Sequence, residues 1–289
     1  MKRATVPVRG AWVRFPALLA LSMLAAMATG RVSAQDEVPF ITTPDRVTVA
    51  MLEAAGVGAR DHVLDLGSGD GRIVITAAKR FGATGLGVEI VPELVRKSRE
   101  HARAAGVAAR VEFREQDLFA TDLAPATVVT MYLLPEVNLQ LRPRLLALAP
   151  GTRIVSHDWD MGEWLPDRSL TLEVPDKAIG REKKSSVHLW IVPAPVHGTW
   201  CAGGARLEVT QRFQRFSATL QERGALAPVV VFDGRVDGTA LHTESGPATQ
   251  ARLSYQSRPA GAELHWLQAS GVASAHAGRS FVRAAAAGC

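Results

Sequence analysis

His62-Val63-Leu64-Asp65-Leu66-Gly67-Ser68-Gly69-Asp70-Gly71-Arg72 is an apolar run that breaks into three alternating glycines and then into a helical pattern. The apolar residues read as a buried parallel strand, and Ile73, Val74, Ile75, Ala77 and Ala78 supply the inner side of the helix that follows. Glycines at 67, 69 and 71 put no Cβ in the way, so backbone can pass close to a ligand with its N–H groups pointing outward at a helix N-terminus. A tight strand-to-helix turn can need the same glycines with no ligand, so the neighbouring segments decide the reading.

Thr84 to Ile90 reads as a second strand ending Gly87-Val88-Glu89, which puts a carboxylate where the next parallel strand stops beside the loop. A carboxylate there can accept both hydroxyls of a ribose. The dinucleotide fingerprint wants its third glycine at position 72, which holds Arg72. The spacing from Asp65 to Gly71 is Asp-x-Gly-x-Gly-x-Gly, and at this point the sequence resembles the class I S-adenosylmethionine-dependent methyltransferases. The resemblance implies S-adenosyl-L-methionine as cofactor. It places Asp65, Gly67, Ser68, Gly69 and Gly71 at the amino-acid part of the donor and Glu89 at its ribose. Asp117 and Leu118, after the third strand, are placed at the adenine. The implied fold is α/β, a Rossmann-like seven-stranded sheet, mostly parallel with its last strand antiparallel.

Ahead of the loop, Thr43-Pro44-Asp45 reads as a helix start, with Thr43 as cap, Pro44 in the first turn and Asp45 at the positive end. Val47, Ala50, Met51 and Ala54 continue at helical spacing to Gly56. The lead-in Pro39-Phe40-Ile41-Thr42-Thr43-Pro44 resembles a narrower group of methyltransferases. Its members include the mitochondrial lysine methyltransferases of the adenine nucleotide translocase and of the membrane-ring protein of ATP synthase, with bacterial relatives. This likeness implies that the lead-in helps close the donor site and that the acceptor is a protein lysine. A small-molecule acceptor stays open at this point.

The fourth strand, Ala126 to Leu133, ends in Met131-Tyr132-Leu133-Leu134-Pro135, without the Asn-Pro-Pro-Tyr of many amide and base N-methyltransferases. In class I enzymes this strand end lines the path to the acceptor. Tyr132 therefore reads either as a site residue or as a core aromatic, and Pro135 as the first residue of a helix. The fifth strand runs into Ser156-His157-Asp158-Trp159-Asp160-Met161-Gly162-Glu163-Trp164, in the loop region where ligands gather in open α/β sheets. Tyr132, His157 and Asp158 are the catalytic candidates, with Trp159 and Trp164 offering aromatic faces to an alkylammonium. His157 has the alternative of a satisfied structural histidine. Ser169 to Val174 and Val187 to Val192 complete the sheet, and Arg181-Glu182-Lys183-Lys184 between them reads as solvated.

From about His197 helical spacing gives way to short alternating runs separated by turns such as Asp233-Gly234 and Asp237-Gly238. The inward positions of one of these runs read as Val229 and Val231, and the alanine-rich tail after Gly271 as loose. The expected organisation is a segment 1–34, a methyltransferase domain 35–196 and a small antiparallel β region 197–289, a structural cover or docking surface. The cysteines, Cys201 and Cys289, could pair in an oxidising compartment or remain free thiols. No Cys-x-x-Cys and no histidine pair at ligand spacing occurs, so no metal site is expected.

The formal charge of +5 suggests nucleic acid, but five of the 33 basic residues and none of the 28 acids lie in residues 1–34. The remainder balances, and a basic nucleic-acid footprint is not expected. Residues 1–34 have the pattern of an export signal: a basic start, an apolar run from Phe15 to Thr29, then Val32-Ser33-Ala34. Cleavage after Ala34 would export the body to the periplasm or medium; an uncleaved segment would associate it with a membrane. Either places it away from where its donor is made. Oligomeric state is not legible, and a non-catalytic envelope binding protein with a methyltransferase-like domain is the alternative of a different class.

Overall fold

Strand β1 (His62–Leu66) is buried from Val63 through Leu66 and pairs in parallel with β2 (Thr84–Glu89) on one side and β4 (Val128–Met131) on the other. A strand covered on both faces needs apolar residues in succession rather than in alternation, which is what Val63, Leu64 and Leu66 provide. The computed structural model describes residues 41–178, 182–226, 230–244, 250–259, 261–285 and 289. The expected export signal lies outside the described residues, as do Pro39, Phe40, Arg181 and Val229.

With β3 (Val111–Glu115), β5 (Arg153–His157), β6 (Arg168–Glu173) and β7 (Lys184–Ile191), the sheet has the order β3-β2-β1-β4-β5-β7-β6. Strand β7 runs antiparallel to both of its neighbours, β5 and β6. The connections diverge between β1 and β4, so the carboxyl ends of those strands open a crevice. One face is covered by α1 (Asp45–Ala54), whose Val47, Met51 and Leu52 meet Val63, Val155 and Val187. Leu141 and Leu145 of α4 (Pro135–Leu146) cover the other, against Leu66, Val129 and Ile154. The amphipathic helices α2 (Arg72–Phe81) and α3 (Pro92–Ala104) bury Val74, Ala78 and Val95 against Phe113.

The second half is a closed antiparallel barrel of β8 (Gly198–Ala202), β9 (Ala205–Arg212), β10 (Arg215–Glu222), β11 (Val230–Asp237), β12 (Ala240–Thr243), β13 (Ala251–Arg258), β14 (Gly261–Ala269) and β15 (Ser280–Arg283). Trp200, Phe216, Phe232, Trp266 and Phe281 fill its interior. Two expectations are corrected here. Val231 is 62% exposed while Val230, Phe232 and Val236 point inward, because four apolar residues in a row leave the alternation without a phase. The tail is not loose through Arg283: Ala273 and Phe281 are buried, and β15 pairs with β14 and β8 to close the barrel. Cys201 and Cys289 form a disulfide that ties the chain end to β8.

The barrel is seated on the loop beyond β5. Phe213, held at φ 53° between β9 and β10, stacks on Trp164 with ring centroids 6.2 Å apart. The Gln214 amide donates to the Leu165 carbonyl at 2.9 Å, and Arg235 pairs with Asp167. A cleft of about 700 Å³ lies along this seam, lined by Phe213, Tyr255 and Arg283 among others, away from the glycine loop.

Candidate active site

The glycine loop joins β1 to α2, and its left-handed backbone explains the residue choice. Gly71 has φ 82°, and a Cβ there would stand 2.7 Å from Phe113 and 2.8 Å from Ser98. Gly67, at φ 72°, would bring a Cβ to 2.9 Å from Leu133. No L side chain is accommodated at either point without moving its neighbours.

The loop N–H groups are disposed differently from the sequence expectation. Those of Gly67 and Ser68 donate to the Val88 carbonyl (3.0 and 2.9 Å), that of Gly71 to the Ser68 carbonyl (2.9 Å), and that of Gly69 to the Glu89 carboxylate (3.0 Å). They are drawn inward because β2 ends directly beside the loop and offers acceptors. The ligand-facing character of this corner is therefore set by oxygen and by negative charge. Glu89 accepts also from the N–H groups of Ile90 and Val91 at 2.8 and 3.0 Å, which fixes its carboxylate over the loop. Gln116 N–H donates to the Glu89 carbonyl at 2.9 Å and brings Asp117 to the same edge. Asp117 caps a short 3-10 turn, Leu118–Ala120, by accepting from Phe119 N–H at 2.8 Å.

Asp65 is fully buried beneath the loop and accepts a hydrogen bond from the Thr130 hydroxyl at 2.7 Å. Burial pushes its carboxyl up to about 7, and the charges of Glu89 and Asp70 add to the rise, while Thr130 opposes it. Asp70 is neutralised by Arg72 at 2.7 Å, and Arg72 also donates to the Thr43 carbonyl at 2.9 Å. Ser68 Oγ is buried with no hydrogen-bond partner among the described residues. Ile90 and Phe119, exposed by 67% and 42%, flank Glu89 and Asp117 with apolar surface. An acid-rich corner with an unpartnered hydroxyl and two apolar side chains fits a cationic sulfonium nucleoside. Sequence reasoning missed Ile90 and Phe119 because one exposed apolar residue in a loop carries no periodic signal.

At the ends of β4 and β5 the structure brings Tyr132, His157 and Asp158 together. The Tyr132 and His157 rings lie 3.9 Å apart, and Asp158 Oδ2 is 3.5 Å from His157 Nε2. His157 is fully buried, with Nδ1 3.2 Å from Thr43 Oγ1 and Nε2 2.9 Å from Ser185 Oγ. Burial pushes its imidazole down to about 4 against the opposing charge of Asp158, so it is neutral near pH 7. With both ring nitrogens engaged, His157 ties Thr43 to Ser185 of β7 and does not face an incoming acceptor. Thr43 accordingly does not cap α1, whose first turn has no side-chain cap; its hydroxyl goes to His157. Tyr132 is half-buried, and burial, then the Asp158 charge, raises its hydroxyl pKa. Trp159 is exposed, whereas Trp164 is wholly buried in the core and offers no face to an acceptor. Its partners Phe213 and Trp190 arrive from later strands, so one-dimensional proximity to Asp158 was misleading.

Residues 65–168 match the family described as the ANTKMT methyltransferase domain. A protein-lysine N-methyltransferase of Saccharolobus islandicus (strain REY15A) is 44% identical over 138 residues, covering 47% of this chain and 86% of that protein. The chain belongs to the ANTKMT methyltransferase family. The adenine nucleotide translocase lysine N-methyltransferase of Mus musculus is 34% identical over 137 residues, and there the match spans 47% of this chain and only 59% of the relative. Among solved structures, one described as an RNA methyltransferase from Salinibacter ruber in complex with S-adenosyl-L-homocysteine is 52% identical. It superposes with a TM-score of 0.50 over 54% of this chain and 96% of that one. The chain is thus an S-adenosylmethionine-dependent methyltransferase whose barrel lies outside the matched family domain.

Proposed function

We propose that this ANTKMT-family enzyme N-methylates a lysine side chain of a protein. The observation that carries the reading is the acceptor end of the sheet, where the Asp158 carboxylate and the half-buried Tyr132 ring stand together beside a neutral His157. A carboxylate with an aromatic face suits an alkylammonium and has no counterpart in the recognition of a phosphate backbone. The names of the archaeal and mouse relatives support the same acceptor class.

S-adenosylmethionine, when bound, supplies a methyl group on a sulfonium, open to in-line displacement by an amine. Gly67, Ser68, Gly69 and Gly71 with Asp65 would hold its amino-acid part, Glu89 its ribose, and Asp117 and Leu118 its adenine, with Ile90 and Phe119 as apolar walls. A lysine ammonium must lose its proton before it can attack. Asp158 would orient the ammonium and take up its proton, partial burial around Tyr132 favouring the neutral amine, which would accept the methyl group as the donor sulfur leaves as a neutral thioether. Thr43, whose carbonyl accepts from Arg72 and whose hydroxyl meets His157, bridges the glycine-loop end and this end of the site.

The description of the Salinibacter ruber protein favours one second reading, an RNA acceptor. Against it stands the balance of acids and bases beyond residue 34. Purified enzyme incubated with methyl-labelled donor and a cell-envelope extract distinguishes them: label in a protein band supports the lysine reading, and label in nucleosides overturns it. Export or membrane association through residues 1–34 belongs to the same proposal and is tested by cell fractionation and sequencing of the mature N-terminus.

A further inference from the structure

Asp158 is held in a backbone conformation that side chains other than glycine seldom adopt, at φ 64°. Its own N–H donates to the Ser186 carbonyl at 2.7 Å, and its Oδ1 accepts from Ser186 N–H at 2.9 Å. These two bonds leave Oδ2 aimed toward Tyr132 and His157. That oxygen already has an ammonium on it: Lys177 Nζ lies 2.7 Å away, its side chain only 13% exposed, and donates also to the Lys184 carbonyl at 2.5 Å. Lys177 belongs to the connection between β6 and β7, and its carbonyl accepts from Lys183 Nζ at 2.6 Å. A lysine of the chain itself thus sits on the Asp158 carboxylate, beside the aromatic groups at the carboxyl ends of β4 and β5.

Resting on the lysine reading above, we propose that Asp158 Oδ2 is the seat of the acceptor ammonium. Lys177 is an intramolecular stand-in for the substrate lysine, which must displace it to enter. The strained backbone of Asp158 serves to present that oxygen. The ammonium of Lys177 and that of a substrate lysine are chemically the same, so one can exchange for the other on Asp158 Oδ2.

Two measurements test it. The first is calorimetric titration of n-butylammonium into the full chain saturated with S-adenosylhomocysteine, comparing wild type with Lys177→Met. Removing the competing ammonium while keeping the stem should tighten butylammonium binding by about three- to tenfold, the size of one partly screened charged hydrogen bond. Asp158→Asn should abolish it. The second is transfer to a lysine-containing peptide, where Lys177→Met should lower KM by a similar factor and Asp158→Asn should raise it. Equal butylammonium affinity in wild type and Lys177→Met overturns the proposal, as does a Lys177→Met KM that rises alongside that of Asp158→Asn. The first measurement needs no methyl transfer, so the proposal stands or falls apart from the lysine reading. S-adenosylhomocysteine affinity should be the same in all three proteins.

Discussion

Glu89 is the residue at which the assignment of the donor site can be pressed hardest. A carboxylate offers about four lone-pair positions. Three of them accept from Gly69, Ile90 and Val91 N–H groups at 2.8–3.0 Å. One position remains for a ribose hydroxyl without rearrangement, and a second hydroxyl can bind only if an N–H is released. In Glu89→Gln the amide must turn an NH₂ either toward Gly69 N–H or toward those of Ile90 and Val91, setting donor against donor. The variant loses one charge-assisted hydrogen bond to the ribose, a loss of about 1.5–3 kcal/mol. S-adenosylhomocysteine should therefore bind ~10- to ~150-fold more weakly. The assay is isothermal calorimetry, with far-ultraviolet circular dichroism to show that the sheet persists. Wild-type affinity in a folded Glu89→Gln protein would refute the assignment of Glu89 to the ribose.

Gly71→Ala forces a Cβ to 2.7 Å from Phe113 at φ 82° and should destabilise by about 1–3 kcal/mol, read as a lower Tm. His157 has its pKa depressed from 6.5 to about 4, so its contribution to stability is present above pH 6.5 and lost as pH falls through about 4. The Tm difference between wild type and His157→Asn should shrink across that window. Asp65 has the opposite sign: raised from 3.8 to about 7, it contributes stability fully below pH 3.8 that is lost as pH rises through about 7. The sulfonium of S-adenosylmethionine favours its charged form, so S-adenosylmethionine affinity should rise with pH through about 7, with proton release visible as buffer-dependent binding enthalpy, and more steeply than that of the uncharged thioether S-adenosylhomocysteine. Asp65→Asn should abolish that dependence. Reducing Cys201–Cys289 opens a link across 88 residues, a stabilisation of about 4–5 kcal/mol in the chain-entropy view. Reduction should lower the Tm of the barrel while leaving donor-site affinity intact.

The donor half of the fold was legible because its signals are local. An apolar run, three spaced glycines and a carboxylate at the next strand end fall within 28 residues, His62 to Glu89, and each is a requirement of a strand-to-helix crossover. The β-rich character of the second half was legible from alternation, but its closure was not. Closing the ring depends on Ser280–Arg283 pairing with β14 and with β8, some 80 residues upstream, and no local pattern encodes that registry. The acceptor end shows the same limit. Strand ends place Asp158 and Tyr132 beside each other, as expected, but Trp164 turns inward because its partners come from β7 and from the turn before β10. Lys177 was invisible, since a lysine 19 positions from Asp158 reads as one more solvated charge until the connection folds back.

The most direct test of lysine methylation is the identity of the methylated atom. Full-length enzyme, methyl-tritiated S-adenosylmethionine and envelope protein are incubated, and the acid hydrolysate of the labelled protein is resolved by chromatography. Label should co-elute with methylated lysine and be lost in Glu89→Gln at limiting donor. Label recovered in nucleosides or in another amino acid, with lysine unlabelled, would contradict the proposed activity.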